Sequence, residues 1–253
     1  MKKKVIAIVP AAGLGKRFNA SAKKTFININ GIPLFIHTLK RLCDEEAVTE
    51  IIPVLKDEDI ENGFELVKKY NLDKIVRIAQ GGKERQDSIY NALYLVENKN
   101  RPSPEDIILI HDGVRPFIPT GLIANLIAEL KNADGAIPGV SVKETLKAAA
   151  ADGTVVSTMD RDKFWAVQTP QAFFFNIIQK AYDTAYADGF YATDDAALVE
   201  RIKGKVKIIP GSPFNIKVTT PEDMELLEYV IMKTAGYFNK GFKKSKIKYQ
   251  KSK

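Results

Sequence analysis

Short apolar runs alternate with amphipathic segments between residues 4 and 132 of the 253-residue chain. The runs are bounded by polar residues or glycine and predict four strands: "KVIAIVPA", "EIIPVL", "KIVRIAQ" and "EDIILIH". The segments between and after them repeat apolar residues three and four positions apart and predict four helices: "PLFIHTLKRLCDE", "DIENGFELVKKYN", "ERQDSIYNALYLVE" and "TGLIANLIAELKN". This alternation predicts an α/β fold in which helices cover both faces of a mostly parallel sheet.

The alternation stops near residue 140, where the pattern changes to that of a hairpin. "TLKAA" and "TVVSTM" flank Asp152 and Gly153, a pair that is typical of tight turns. The pattern leaves open whether this hairpin is a simple surface feature or an arm that contacts another molecule. The remaining segments predict three helices, "FNIIQKAYDTAYADG", "TDDAALVERIKG" and "PEDMELLEYVIMKTAG", and two strands, "KVKIIPG" and "NIKVTT".

The net charge of +7 belongs to the end of the sequence rather than to its body. The last fifteen residues hold seven lysines and no acid, so residues 1–238 contain 31 basic and 31 acidic residues. We therefore predict one domain over residues 1–238 and a solvated basic tail over residues 239–253. Weak binding of the tail to a polyanion or a membrane surface is the alternative.

Membrane insertion and secretion are not expected from the sequence. No apolar run approaches the ~20 residues that a membrane-spanning helix needs. The five-residue apolar run near the N-terminus is interpreted as a buried strand rather than a signal peptide. The single cysteine, Cys43, excludes an intrachain disulfide framework and favours a cytoplasmic location.

The loop after the first predicted strand, "VPAAGLGKRF", is rich in small residues and contains Lys16 and Arg17. It is not a P-loop, because Arg17 stands where that motif requires Ser or Thr and no glycine lies five residues before Gly15. It is not a dinucleotide fingerprint, because the third glycine is missing. Ligands of parallel sheets bind at the carboxyl ends of strands, and small residues let the backbone approach them closely. We therefore interpret the loop as a phosphate cradle.

Two further loops follow predicted strands and contain candidate binding residues. "GGKERQDS" ends in Ser88, whose hydroxyl could bind a base or ribose, although an ordinary helix N-terminal turn is the alternative. In "LIHDGVRPF", Asp112 could hold Mg²⁺ against substrate phosphates, and Arg115 could bind a phosphate. His111 is interpreted as structural, and with two histidines and one cysteine a zinc site is not expected. Lys217 lies in the apolar stretch "NIKVT", where a lysine needs a partner.

A set of motifs occurs in a fixed order: "PAAGLGKRF", a lysine seven residues after Arg17, "GGKERQDS", "HDGVRPF", "VKETLK", "WAVQTPQAF", "TDDAALVE" and "NIKVTTPED". Together they resemble the 2-C-methyl-D-erythritol 4-phosphate cytidylyltransferases over about residues 4–230. The resemblance implies a Rossmann-like sheet of the nucleotide-diphospho-sugar transferase type, with a β-hairpin dimerisation arm at about residues 141–163. It also implies that CTP and 2-C-methyl-D-erythritol 4-phosphate react to CDP-methylerythritol and pyrophosphate, with Mg²⁺, in the non-mevalonate isoprenoid pathway.

The resemblance implies a role for each matching residue. Stabilisation of charge during the transfer is assigned to Arg17, Lys24 and Lys217. Nucleotide binding is assigned to Ala11, Ala12, Gly13, Gly15, Lys16, Gly82, Lys83, Ser88 and Asp112, the last of which also coordinates Mg²⁺. Binding of the second substrate is assigned to Arg115, Thr145, Arg161, Thr169 and Thr193. The arm carries Thr145, Arg161 and Thr169 towards the active site of the partner subunit; from the residues alone, Thr193 is equally an ordinary helix cap.

Two alternatives remain beside this interpretation. Ribitol 5-phosphate cytidylyltransferases share "HDxVRPF", and we favour methylerythritol because of "PAAG" and "VKETLK". A departure from the family's pattern is Lys23, which stands where a proline commonly precedes the lysine matched by Lys24, so the loop is expected to be less rigid. A non-catalytic nucleotide- or nucleic-acid-binding protein, suggested by the basic tail, is the alternative of another class. The expected partners are CTP, a polyol phosphate and a second copy of the chain, with neither nucleic acid nor membrane.

Overall fold

The computed structural model of the protein describes residues 3–13, 26–100 and 102–233. Its strands are β1 (Val5–Pro10), β2 (Asn28–Ile29), β3 (Ile32–Pro33), β4 (Glu50–Leu55), β5 (Ala79–Gln80), β6 (Ile107–Ile110), β7 (Gly135–Ser141), β8 (Lys147–Ala149), β9 (Val155–Thr158), β10 (Trp165–Val167), β11 (Gln171–Phe174) and β12 (Val206–Pro210). Its α-helices are α1 (Leu34–Cys43), α2 (Ile60–Lys69), α3 (Arg85–Asn100), α4 (Leu122–Glu129), α5 (Phe175–Ala187), α6 (Asp195–Arg201) and α7 (Pro221–Lys233).

Eight of the strands form one twisted sheet in the order β10-β7-β11-β6-β1-β4-β5, with β12 also paired to β7. Strands β6, β1, β4 and β5 are parallel to one another. Strand β11 is antiparallel to β6 and to β7, and β12 is parallel to β7. Since β10 is also antiparallel to β7, six of the eight strands run in one direction, which confirms the predicted mostly parallel sheet.

Helices cover both faces of this sheet, because the side chains of each central strand are apolar on both sides. In β1, Ile6 and Ile8 pack into a core with residues of α3 and α5, whereas Ala7 and Val9 pack into a second core with residues of α1 and α4. Successive strand residues point to opposite faces, so an uninterrupted apolar run marks a strand that is buried on both. The uninterrupted apolar sequence of β1 therefore explains why helices cover both faces of the sheet.

The predicted strand "NIKVTT" is wrong, since the described residues 211–220 contain no strand. The N–H groups of Thr219 and Thr220 donate to the carboxylate of Asp223, 2.6 and 2.8 Å away, and so begin helix α7 rather than join a sheet. The N–H of Val218 donates to the carbonyl of Val114 over 3.0 Å, but the described residues 215–220 form no ladder of such bonds with a neighbouring strand. The apolar alternation of this stretch predicted a strand, but the cap formed by Asp223 makes its end the start of a helix instead.

Strand β7 is central to the sheet, and the pattern did not predict it. Its sequence "GAIPGVS" contains glycine and proline, which argue against a central strand. The glycines are needed for packing: a Cβ at Gly135 would lie 2.7 Å from the ring of Phe173, and one at Gly139 would lie 3.0 Å from Ile208. Glycine is a poor strand former, but at these two positions the missing side chain leaves room for Phe173 and Ile208 to pack.

The hairpin predicted at residues 141–163 is present and projects from the sheet. The chain leaves the sheet at Ser141 and returns at Trp165, which pairs with it. Between them β8 and β9 pair only with each other, and their side chains are exposed apart from the half-buried Ala148. The boundaries of the arm agree with the prediction, whereas its use as a dimerisation surface stays a prediction.

The single domain of residues 1–238 and the basic tail of residues 239–253 stay predictions as well, since residues 234–253 lie outside the described part of the chain. Within the described ranges, no helix is long and apolar enough to cross a membrane.

Candidate active site

Three loops meet at the carboxyl edge of the sheet, where the sequence analysis predicted the binding residues. The N–H of Gly113, after β6, donates to the carbonyl of Pro10 at the end of β1 over 3.1 Å. A Cβ on Gly113 would lie 3.0 Å from that of Ala11, and a Cβ on Gly81, after β5, would collide with that of Ala12. The small residues of "PAAG" and "GG" therefore allow the three loops to pack against one another.

Asp112 lies at the centre of this edge and is surrounded by three cations. Its Oδ1 is 3.5 Å from Nε of Arg85, and its Oδ2 is 3.2 Å from Nε of Arg115 and 3.0 Å from Nζ of Lys217. Burial raises the pKa of the Asp112 carboxyl, but Arg85, Lys217 and Arg115 lower it further, so its pKa lies well below the usual range. The carboxylate is therefore ionised at neutral pH. The partner that "NIKVT" required for Lys217 is Asp112.

The position of Lys217 is set by its buried neighbours. Asn215 and Val218 are fully buried. Asn215 donates from Nδ2 to the carbonyl of Thr169 over 2.8 Å, and Val218 donates its N–H to Val114 over 3.0 Å. Lys217 itself keeps 41% of its side chain exposed. An ammonium group on a fixed backbone thus faces both Asp112 and solvent.

Arg85 is a residue of the site that the sequence analysis missed. Its guanidinium forms two hydrogen bonds to the carboxylate of Asp195, 3.1 and 2.7 Å long, and the hydroxyl of Tyr182 donates to the same carboxylate over 2.6 Å. Burial lowers the pKa of Arg85, but Asp195 and Asp112 raise it by more, and the side chain stays charged. The sequence showed Arg85 within "GGKERQDS", but nothing local indicated a partner 110 residues away.

Thr169 and His111 orient the Asp112 backbone. The hydroxyl of Thr169 accepts a hydrogen bond from the Asp112 N–H over 3.0 Å and lies 3.0 Å from Nδ1 of His111. Nε2 of His111 is 2.9 Å from the carbonyl of Arg115, which can only accept. His111 therefore carries its proton on Nε2 and accepts the Thr169 hydroxyl proton on Nδ1. Burial lowers the pKa of His111 to about 4, which keeps the ring neutral.

This geometry corrects one expectation and confirms another. Thr169 was expected to reach the partner subunit on the arm; instead it is 6% exposed, and both hydrogen bonds of its hydroxyl lie within its own chain. The structural interpretation of His111 is confirmed, since the ring is buried and both nitrogens are engaged.

We expect Thr169→Val to lower the free energy of unfolding by about 1–3 kcal/mol, because it leaves the buried N–H of Asp112 and Nδ1 of His111 without their partner. Urea titration followed by circular dichroism measures this difference. Thr145→Val is the matched control: Thr145 is exposed on the arm, and its replacement should change stability by less than ~0.5 kcal/mol. Equal, small losses for both variants would contradict the orienting role of Thr169.

The second loop is closed by its own serine. The Ser88 hydroxyl donates to the carbonyl of Glu84 and accepts from the N–H of Gly82, both over 3.0 Å. A Cβ on Gly82 would collide with Asp87, so the glycine is required for the turn. Ser88 is buried, whereas Gly82 and Lys83 are exposed. In this structure Ser88 shapes the loop, and Gly82 is accessible from solvent.

The remaining predicted residues fall into three places. Gly13 is exposed at the end of the described part of the first loop, and Gly15, Lys16, Arg17 and Lys24 lie outside the described residues. Thr193 is exposed and lines a cavity of about 490 Å³ that also contacts Lys83 and Arg85. Thr145 and Arg161 are exposed on the arm, where Arg161 donates to the carbonyl of Lys143 over 2.8 Å. The helix-cap alternative for Thr193 is not what the structure has, because Asp194 caps α6.

Known proteins match this chain over nearly all of the described fold. Residues 5–233 match the family model described as IspD, 2-C-methyl-D-erythritol 4-phosphate cytidylyltransferase. A relative of that name from Syntrophus aciditrophicus is 43% identical over 237 residues, which cover 93% of this chain and 99% of the relative. The chain belongs to the 2-C-methyl-D-erythritol 4-phosphate cytidylyltransferase family. Another relative, from Dictyoglomus thermophilum, is 41% identical and covers 91% of this chain and 98% of its own length.

Solved structures of the family have the same fold. The 4-diphosphocytidyl-2C-methyl-D-erythritol synthase of Anaerococcus prevotii aligns with a TM-score of 0.77 at 30% identity, covering 91% of this chain and 99% of that one. The cytidylyltransferase of Francisella tularensis aligns with a TM-score of 0.75 at 28% identity over 90% and 99%. The resemblance read from the ordered motifs is confirmed, and the chain is a nucleotidyltransferase of this family. These matches do not favour a ribitol phosphate enzyme or a non-catalytic binding protein.

The expected metal of this cytidylyltransferase is Mg²⁺, with Asp112 as its ligand. Among the described residues, no group of three or more His, Cys, Asp or Glu side chains could hold a metal ion. A single carboxylate nevertheless fits Mg²⁺, which is commonly held by one or two carboxylates and completes its shell with substrate phosphates and water. Oδ2 of Asp112 faces two cations at close range, whereas Oδ1 has the longer, 3.5 Å contact with Arg85. Oδ1 is the oxygen better placed to accept a metal.

Proposed function

We propose that this family member transfers the cytidylyl group of CTP to 2-C-methyl-D-erythritol 4-phosphate, which serves isoprenoid biosynthesis. The observation that carries the proposal is Asp112 among Arg85, Arg115 and Lys217, beside two loops of small residues at the carboxyl edge of the sheet. Such an edge suits a reaction between two polyanions. The enzyme must bring them together and neutralise their charge.

The chemistry needs no general base. A phosphomonoester has a second pKa near ~6, so at neutral pH its oxygen is already a nucleophile. An oxygen of the methylerythritol phosphate attacks the α-phosphorus of CTP, and the bond from that phosphorus to the bridging oxygen of the β-phosphate breaks. The electron pair leaves with pyrophosphate. A neutral, buried His111 with both nitrogens engaged agrees with this scheme, because no proton has to be removed.

Residue roles in the proposal follow the positions matched to the family. The backbone at Ala11, Ala12, Gly13 and Gly82 contacts the cytosine, with Lys83 and Ser88 at the same loop. The triphosphate is bound by Gly15, Lys16, Arg17 and Lys24, and Arg17, Lys24 and Lys217 stabilise charge during the transfer. The second substrate is bound by Arg115 and Thr193. Mg²⁺ on Asp112 would neutralise phosphate oxygens when it is bound.

Pyrophosphate release tests the proposal and the identity of the polyol. The protein is incubated with Mg²⁺ and CTP, together with either 2-C-methyl-D-erythritol 4-phosphate or ribitol 5-phosphate. We expect release that depends on methylerythritol phosphate and yields CDP-methylerythritol by mass spectrometry. Release with ribitol 5-phosphate alone, or with neither, would overturn the proposal. Omission of Mg²⁺, with a chelator present, tests the metal in the same assay.

We also propose that the enzyme is a cytoplasmic homodimer joined through the arm. Exposed apolar side chains cluster on the arm and at its base: Val155, Val156, Met159, Trp165 and Val167. Apolar patches of this kind commonly mark interfaces, and a second copy of the chain would cover them. It would also bring Thr145 and Arg161 of one subunit towards the other. The single cysteine, Cys43, agrees with a reducing compartment.

We expect Val156→Glu to weaken dimerisation by at least ~10²-fold, because the proposed interface would then bury a charge. Light scattering after size exclusion, over a range of concentrations, measures the mass. Val76→Glu is the matched control, since Val76 is an equally exposed valine that precedes β5, at the opposite edge of the sheet from β10. A dimer that persists in the Val156 variant, or a wild type that is monomeric at all concentrations, would overturn the proposed arm interface.

A further inference from the structure

Gln86, the second residue of α3, uses its whole amide group on a distant segment. Its Nε2 donates to the carbonyl of Phe190 and its Oε1 accepts from the N–H of Ala192, both over 2.9 Å. The side chain is 5% exposed, so these bonds are shielded from water. The segment that it fixes leads directly to Thr193. A buried amide that binds a donor and an acceptor of one loop sets both its distance and its orientation.

The residues on either side of Gln86 bind the same part of the chain. Arg85 pairs with the carboxylate of Asp195 through two hydrogen bonds. Asp87 accepts from the hydroxyl of Tyr191 over 2.9 Å and from that of Tyr186 at close range. We call Arg85, Gln86 and Asp87 the α3 brace, and residues 186–195 the braced segment.

Three successive helical residues point in different directions, since each turns about 100° from the last. Each brace residue nevertheless binds a different part of the braced segment. Tyr186 and Tyr191 are held on Asp87, Phe190 and Ala192 on Gln86, and Asp195 on Arg85.

The brace also belongs to the second, nucleotide-side loop. Asp87 accepts from the N–H of Glu84 over 2.8 Å with its other carboxylate oxygen, and it packs against Gly82. Arg85 extends from the brace to Asp112. Residues 81–88 therefore contact three parts at once: the nucleotide side of the site, Asp112 and the segment with Thr193.

We propose that the α3 brace positions Thr193 for the second substrate, with Gln86 as the residue that sets the segment before it. This inference rests on the proposed function, in which Thr193 binds the polyol phosphate. Gln86 acts through the backbone of residues 190–192, to which both polar atoms of its amide are bonded. A loop that is released from Gln86 binds the polyol phosphate less well, whereas the N–H of Gly82 keeps its own hydrogen bond to the Ser88 hydroxyl.

Kinetics of two Gln86 variants test the inference. Gln86→Leu removes both bonds, and we expect it to raise KM for methylerythritol phosphate by roughly 10-fold or more, with KM for CTP changed less than about threefold. Gln86→Glu keeps the acceptor for Ala192 and loses the donor to Phe190, so its KM should be intermediate. Gln179→Leu is the matched control, because Gln179 donates over 3.0 Å to Asp183 within α5 and does not contact the braced segment.

Hydrogen exchange at the amide of Ala192 supplies a readout that does not need turnover. Exchange should accelerate in Gln86→Leu and stay close to wild type in Gln86→Glu and Gln179→Leu. An equal rise of both KM values, or unchanged values in Gln86→Leu, would overturn the inference. If the wild type does not use methylerythritol phosphate, the proposed function is wrong. If the wild type is active but Ala192 exchange is unchanged in Gln86→Leu, only the proposed role of the α3 brace is wrong.

Discussion

Lys217→Ala should lower kcat for cytidylyl transfer by roughly 10²–10³, the loss expected when one charge-stabilising group is removed from a transition state. The Nζ of Lys217 lies 3.0 Å from Asp112 and is partly exposed, so it can turn towards a phosphate without leaving the site. The other two cations are more firmly held, Arg85 by Asp195 and Arg115 by the carbonyl of Asn215. Steady-state pyrophosphate release at saturating CTP, Mg²⁺ and methylerythritol phosphate measures kcat.

The effect should be specific to the charge at this position. Ion pairs of exposed lysines contribute about 0–1 kcal/mol, so the variant should unfold near the wild-type temperature. Lys217→Arg should recover part of the activity, since it restores a cation. Lys207→Ala is the matched control: its ammonium also pairs with one carboxylate, Glu129, at 2.7 Å, but on the surface. A kcat within threefold of the wild type in Lys217→Ala would remove Lys217 from the catalytic groups.

The sequence was informative wherever one strand and its following loop determine the outcome. The apolar run before Asp112 predicted both the strand β6 and the position of the carboxylate at its end. Lys217 needed a partner because it interrupts an apolar stretch, and the partner exists although the predicted strand around it does not. Ordered motifs then identified the family. These predictions depend on local chemistry or on the order of short motifs.

The sequence was uninformative where distant residues meet. Arg85 and Asp195 are 110 residues apart and form an ion pair whose carboxylate is buried, and no periodicity predicts such a pair. The family resemblance assigned Thr169 to the arm, but its hydroxyl is fixed by Asp112 and His111. Strand β7 was not predicted for the same reason. Its glycines are explained by the Phe173 and Ile208 side chains that pack on them, which only the folded chain brings together.

Asp112→Asn should be the most damaging single substitution in the described site. The change keeps the size of the side chain but removes the charge that Arg85, Arg115 and Lys217 share. We expect kcat to fall by at least ~10², because the proposed Mg²⁺ ligand is weakened and the cations lose their common partner. The loss of these charge-assisted contacts should also lower the free energy of unfolding by about 1.5–3 kcal/mol, a moderate loss because the three cations are partly exposed and Arg85 keeps its pair with Asp195.

The pH dependence of stability separates this charge effect from a packing effect. Because the pKa of Asp112 is lower in the folded protein than its unfolded value of about 3.9, its ionisation stabilises the fold fully above that pH. The stabilisation is lost as the pH falls further towards the lowered pKa, since the carboxyl then binds a proton. The difference in unfolding free energy between wild type and Asp112→Asn should therefore be constant from about pH 8 to 5 and shrink below about pH 4. A difference that stays the same down to pH 3 in urea titrations would show that the asparagine disturbs packing rather than charge.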